Sequence, residues 1–312
     1  MTDFVISPIS KKPATLVQSV EVPLIIDLYR NQIGLNVSKY FGKEKQISIY
    51  ECCETKYRFY FPFTVSGDSE FYAELQKKGD YYPEWKWENE SALQFITSTS
   101  RVLDVGCGEG NFLKELTKRD IKNCCGIDQS LASLTYTGTN EIPIYDESIQ
   151  SFSAKNRENF DVITCFQILE HITDVSTFIE SCLTCLKPGG YLVVAVPNNN
   201  PYLYKHDLHH ALNLPPHHTG LWNSNSLSKL TDYFGFKIVL NKVEPISQYI
   251  AEYTSVQMRK MSNSNAVLSW LFSLNIIRKV YSKLLYMFKT KIKGRNCLAV
   301  YQKNNNSLSK IS

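Results

Sequence analysis

The most constraining stretch of the chain is a short apolar run, Val102 to Val105, that ends in three glycines at alternate positions, Gly106, Gly108 and Gly110. Apolar residues at helical spacing follow, namely Phe112, Leu113 and Leu116. The run predicts a buried parallel strand. Strand, glycine turn and helix in that order bring a ligand close to backbone at a helix N-terminus. A dinucleotide fingerprint would place its third glycine at position 111, which is Asn111. The spacing is therefore Gly-x-Gly-x-Gly, with Asp104 two residues before the first glycine.

Three later phrases repeat the pattern of a buried strand running into polar residues. Cys125, Gly126 and Ile127 lead to Asp128, far enough beyond Asp104 for one crossover helix and a return strand. Phe160 to Phe166 runs into Gln167, Glu170 and His171. Leu186-Lys-Pro-Gly-Gly190 ends a helix and turns the chain, and Tyr191 to Val196 is then a central strand stopped by Pro197. The alternation predicts a parallel sheet with right-handed crossovers.

These four phrases, in this order, resemble the class I S-adenosylmethionine-dependent methyltransferases over roughly residues 80 to 305. The resemblance implies an α/β fold with a Rossmann-like, seven-stranded, mostly parallel sheet. Its third strand falls at 142–146 and its sixth at 235–240. Its seventh falls at 296–301 and enters antiparallel. It also implies S-adenosyl-L-methionine as cofactor. Gly106, Cys107, Gly108 and Gly110 then run under the methionine portion, and Asp104 orients that loop. Asp128, with Gln129 beside it, meets the ribose. Asp146 is assigned to adenine, ahead of its neighbours Glu147 and Ser148. Phe166 and Gln167 stand at the methionine end.

Some relatives bind a divalent metal through Glu-x-x-Glu-His at the fourth strand. Here the first carboxylate is the amide Gln167, one charge fewer for a metal, so none is expected at Glu170 and His171. The segment from Pro215 to Trp222 again resembles the family. A histidine at neutral pH can take a proton from a hydroxyl, so His217 or His218 is the expected general base, against a purely structural role. His206, His209 and His210 are expected on the surface.

The remainder divides into an N-terminal extension and cap, 1–90, and a methyltransferase domain, 91–305, with a helical insertion at about 245–294. Residues 46–63 are β-branched and aromatic around a polar break, which predicts a β-hairpin. Upstream of it only a short helix near 23–31 is expected. The adjacent Cys52 and Cys53 make a poor zinc pair. Trp85 and Trp87 either pack a helix on the sheet or face the cleft. The nine cysteines are dispersed, Cys182 and Cys185 among them as core residues, which fits a reducing cytoplasm. The N-terminus has no basic segment followed by an apolar run, so no secretory leader is expected.

Charge is segregated. The net charge is +4, yet no Asp or Glu follows Glu252 while eleven Lys and Arg do, leaving −7 on residues 1–252. Apolar residues recur at helical spacing from Val267 to Phe288, predicting one helix over about 266–289. That helix packs as a lid, contacts another subunit, or lies at an anionic membrane surface through 266–295. The expected activity is O-methylation of a small-molecule or lipid- or sugar-linked acceptor by a cytoplasmic enzyme, peripheral at a membrane in the last case. The alternatives are a non-catalytic S-adenosylmethionine-binding partner protein and a nucleic-acid methyltransferase. No recognition motif accompanies the basic tail, so nucleic acid is not the expected partner.

Overall fold

The computed structural model describes residues 4–78, 85–129, 142–200 and 210–305. From the N-terminus, β1 (Ala14–Glu21), α1 (Val22–Gln32), β2 (Gln46–Cys52) and β3 (Arg58–Phe61) lead to two short helices, α2 (Ser69–Gln76) and α3 (Trp87–Ala92). The expected hairpin is present, with Ser48 opposite Phe61 and Glu51 opposite Arg58. The expected helix is α1, with Pro23 in its first turn. Strand β1 was not expected. It is an edge strand with no fully buried residue, so it carries no apolar alternation to betray it.

The main sheet is built from β4 (Val102–Val105), β5 (Cys124–Ile127), β6 (Ile144–Tyr145), β7 (Phe160–Phe166) and β8 (Leu186–Pro197), all parallel. Helix α4 (Asn111–Lys118) follows β4, α5 (Ile149–Ser153) follows β6 and α6 (Val175–Cys185) follows β7. The two-residue strand β9 (Gly220–Leu221) and helix α7 (Ser224–Ser228) come after β8. β10 (Phe236–Pro245) and β11 (Lys293–Lys303) complete a seven-stranded sheet of order β10-β11-β8-β7-β4-β5-β6, with β11 antiparallel to both neighbours. This is the expected Rossmann-like topology. All four side chains of β4 are buried at its centre. The third strand is shorter than 142–146 and the last two are longer than expected.

The hairpin is part of a four-stranded antiparallel sheet, β1-β2-β3-β9. Its last strand comes from the far side of the main sheet, and the two layers share one core. Tyr57 and Phe59 belong to the same apolar cluster as Ile163, Leu192 and Tyr301. Trp222 closes that junction. It is fully buried, its ring lies 4.1 Å from that of Tyr57, and its indole N–H donates to the Leu169 carbonyl at 3.2 Å. Cys182 and Cys185 are core residues of α6, and all nine cysteines are unpaired. Trp85 stacks on Phe112 of α4, so it packs a helix and does not line the cleft.

The insertion contains three helices where one was expected: α8 (Ile250–Ser264), α9 (Ala266–Ser273) and α10 (Asn275–Met287). Asn265 turns extended and its side chain accepts from the Val267 N–H at 2.7 Å, ending one helix and capping the next. Leu274 is extended too and makes the second break.

Replacing Trp222 with Ala should cost about 3–5 kcal/mol, the usual range for emptying a buried aromatic site. Chemical denaturation checks this. A loss under 1 kcal/mol would mean the two sheets are not held together here.

Candidate active site

The glycine loop forms the floor of a cleft of about 940 Å³ at the C-terminal edge of the parallel strands. Gly106, Gly108 and Gly110 have φ of +73°, +52° and +71°, where a side chain would be strained. Gly110 is the cap of α4. The Gly106 N–H donates to the Ile127 carbonyl at 2.8 Å, tying the loop to β5. The Asp128 carboxylate accepts from the Gly108 N–H at 2.8 Å. Asp128 thus holds the loop as well as lining the cleft. A side chain on Gly126 would strike the Cys107 sulfur at 2.5 Å, which explains why β5 carries a glycine just before its end.

Asp104, Gly106, Cys107, Asp128, Gln129, Phe166 and Gln167 all line the cleft. Gly108 and Gly110 do not; they act through loop shape. Asp104 is buried and accepts from the Thr164 hydroxyl at 2.7 Å, and burial pushes its carboxyl up to about 7. Asp146 is exposed and is not among the lining residues. The reason is local. β6 stops at Tyr145, and the chain turns into Ser148, whose side chain caps α5, so that Glu147 and Ser148 face the cleft instead.

The fourth strand ends in strain. Gln167 has φ of +58°, unusual for a residue with a side chain. Its amide donates to Glu88 at 3.2 Å and to Asn296 at 3.5 Å, and Asn296 donates to Glu244 at 2.8 Å. An amide at 167 therefore bridges buried acids where a third carboxylate would add repulsion.

The histidine loop faces the same cleft. His217 and His218 are buried and stacked, with ring centroids 4.5 Å apart. His171 packs edge-on at 4.7 and 5.0 Å from them. The Nδ1 atom of each meets an oxygen acceptor. His171 meets the His217 carbonyl at 2.6 Å, His217 the Leu212 carbonyl at 2.8 Å and His218 the Asn213 amide oxygen at 3.2 Å. A neutral ring that donates from Nδ1 has its lone pair on Nε2. Burial pushes His171 down to about 4 and His217 and His218 well below the usual value, helped by their closeness. One ring nitrogen from each of the three lies within 4.8 Å of the others, so the group could hold a metal ion. Residue spacing cannot reveal this, because His171 is distant in the chain from His217 and His218. His210, expected on the surface, lines the cleft and accepts from Arg295 at 2.9 Å. His206 and His209 lie outside the described residues.

A methyltransferase-domain family model matches residues 74–241, more than half of the chain. The chain belongs to this methyltransferase family. It is similar to ubiquinone biosynthesis O-methyltransferases from Ralstonia nicotianae and Salmonella typhi. The first is 33% identical over 127 residues, covering 37% of this chain and 53% of that protein. The second is 30% identical over 135 residues, covering 39% and 55%. The chain thus spans about half the length of the curated relatives it matches. A solved S-adenosylmethionine-dependent methyltransferase from Archaeoglobus fulgidus is similar at 16% identity and a TM-score of 0.48, over 76% of this chain and 95% of that one.

The cleft has features that fit S-adenosylmethionine. Left-handed glycines bring bare backbone to the floor, Asp128 stands at the loop, and Phe112 and Phe166 form an apolar wall with rings 5.1 Å apart. Sequence reasoning missed Glu88, Tyr249, Arg295 and Asn296, which also line it. Of these only Glu88 left a trace, as an acid just after the two tryptophans at the start of a helix. Glu88, Glu170 and Glu244 are buried, and each keeps one carboxylate oxygen without a hydrogen-bond partner. Burial raises Glu88, takes Glu170 to about 8 and, with Glu88 beside it, takes Glu244 to about 7.

The Glu244 shift has a checkable sign. The folded protein keeps a proton that the unfolded chain releases above the ordinary value of 4.5. Its stabilising contribution is present at pH 4.5 and is lost as pH rises through about 7. Between pH 5 and 7.5 the native protein should lose on the order of 2 kcal/mol more stability than Glu244→Gln. Parallel pH–denaturation curves for the two proteins would contradict it.

Proposed function

We propose that the methyltransferase methylates a hydroxyl oxygen on a small-molecule or lipid- or sugar-linked acceptor. The observation that carries this is the pairing, in one cleft, of the glycine loop and Asp128 with buried neutral histidines. The names of the O-methyltransferase relatives support the choice of oxygen. When bound, S-adenosylmethionine supplies a methyl group on a sulfonium sulfur, a good leaving group. The residues mainly align and exclude water. Asp104, Gly106, Cys107, Asp128, Gln129, Phe166 and Gln167 hold the cofactor, and Glu147 and Ser148 take the adenine role first given to Asp146. His217 or His218 accepts the hydroxyl hydrogen at Nε2. Residues 1–90 act as the cap, holding the histidine loop. The partner surface is an anionic membrane, reached through 266–295.

A second reading follows from the closeness of the three histidines. As ligands of a divalent ion, His171, His217 and His218 would present nitrogen donors, which suit zinc-like ions better than Mg²⁺. Dialysis against EDTA separates the two readings. Unchanged turnover supports proton acceptance, and loss restored by Zn²⁺ or Co²⁺ supports an ion.

Two outcomes test the main proposal. Asp128→Ala should weaken S-adenosylhomocysteine binding by about 1–3 kcal/mol, measured by calorimetry, because a charged hydrogen bond and the loop anchor are both lost. His217→Asn and His218→Asn should leave that affinity intact while one of them cuts turnover by about 10²–10⁴. Normal turnover in both, and in the double variant, would remove the histidines from the reaction.

A further inference from the structure

The lobe formed by α8, α9 and α10 shows what its sequence did not decide. Helix α10 buries no side chain and α9 buries only Phe272. Of the seventeen large apolar residues exposed among the described residues, nine lie between Val267 and Phe288. Trp270 is 62% exposed, Met287 66% and Ile276 70%. A lid folded onto its own domain would cover this face, and it is uncovered. Arg278, Lys279, Lys283, Lys291 and Lys293 are exposed on the same lobe. Among the described residues none of these five is in an ion pair, and no acid follows Glu252 in the chain to supply one. Apolar side chains with Trp and Tyr at their margins, beside uncompensated cations, match a surface of acyl chains under anionic headgroups. No helix is long and apolar enough to cross a membrane.

The lobe is rooted at the cleft wall. Its first helix starts just after Tyr249 and it rejoins the main sheet at Lys293, two residues before Arg295, and Tyr249 and Arg295 line the cleft. Arg295 also pairs with Glu252 in the first turn of α8, at 3.4 Å. Any surface that holds the lobe is therefore coupled to two residues of the cleft wall.

Resting on the methyl-transfer reading above, we propose that α9 and α10 are an interfacial anchor that seats the protein on an anionic lipid surface with its cleft mouth against the lipid, so that the acceptor is a molecule held in that membrane. The anchor inserts its apolar face to the headgroup boundary, and the cations hold it by charge. Acceptors reach the cleft along the membrane and not from bulk water.

Full-length protein is sedimented with vesicles of phosphatidylcholine alone and of phosphatidylcholine with phosphatidylglycerol. Partitioning should be at least tenfold stronger onto the anionic vesicles and should fall away in 0.5 M salt, where the screening length is about half that at 0.1 M. Arg278→Glu, Lys279→Glu and Lys283→Glu together should weaken it about a hundredfold, three factors of roughly five. Melting temperature and S-adenosylhomocysteine affinity should not change. Hydrogen exchange on vesicles should slow at 266–288 and at 246–252, and should not slow in β1. Equal partitioning onto both vesicles, none onto either, or slowed exchange in β1 would overturn the anchor. If S-adenosylhomocysteine still binds in that event, the methyl-transfer reading stands without it.

Discussion

The stretch from Asn213 to Trp222 is clamped from both sides, and the acceptor side of the cleft depends on that clamp. From the N-terminal layer, the Tyr29 hydroxyl donates to the Leu214 carbonyl at 2.8 Å and the Tyr60 hydroxyl to the Asn213 carbonyl at 3.1 Å. The Tyr60 N–H donates to the Thr219 carbonyl at 2.9 Å. From the main sheet, the Glu170 carbonyl accepts from both the backbone and the hydroxyl of Thr219, and the Leu169 carbonyl accepts from Trp222. Each bond is worth about 1 kcal/mol net, but leaving one unmade in a buried site costs more. The clamp is what brings His217 and His218 to His171. It also gives residues 14–61 a reason to exist in a fold whose cofactor loop lies elsewhere.

The buried groups of the cleft behind the clamp give up charge. His171, His217 and His218 are held neutral by burial, and Glu88, Asp104 and Glu170 are raised toward neutrality by the same cause. Unpaired ions would be costly in such a place, so the groups give up charge instead. A cationic sulfonium changes that balance. Carboxyl groups that hold protons through burial would gain from ionising beside such a positive centre, while neutral imidazoles would avoid repelling it. Gln167 fits this scheme, since it links Glu88 to Asn296 without adding charge.

What could be read in the chain and what could not follows from how local each feature is. β4, the glycines and α4 form one continuous stretch whose conformation is set by its own residues, and Asp128 is one crossover away. Strand β1 was invisible because an edge strand with no buried face needs no apolar alternation. Asp146 does not line the cleft while its neighbours Glu147 and Ser148 do, because a two-residue strand leaves the direction of the following side chains to the cap at Ser148. The single helix expected at 266–289 broke where Leu274 turns extended, a choice that apolar spacing does not register. The meeting of His171 with His217 and His218 was not legible at all. It is made by β9 joining β3, a pairing between segments more than 150 residues apart.

Charge segregation gives the architecture a direction. The first 252 residues carry −7 and the remainder carries the compensating excess. An anionic surface repels the first part and attracts the second, so the two effects turn the molecule the same way. The contacts of the glycine loop and of the clamp are made without that segment. The lobe sits between the last two strands, where an insertion disturbs neither the cofactor loop nor the core, and where its roots at Tyr249 and Arg295 border the cleft. Under the anchor proposal, orientation and access would be set by one element that is separate from the glycine loop and the clamp.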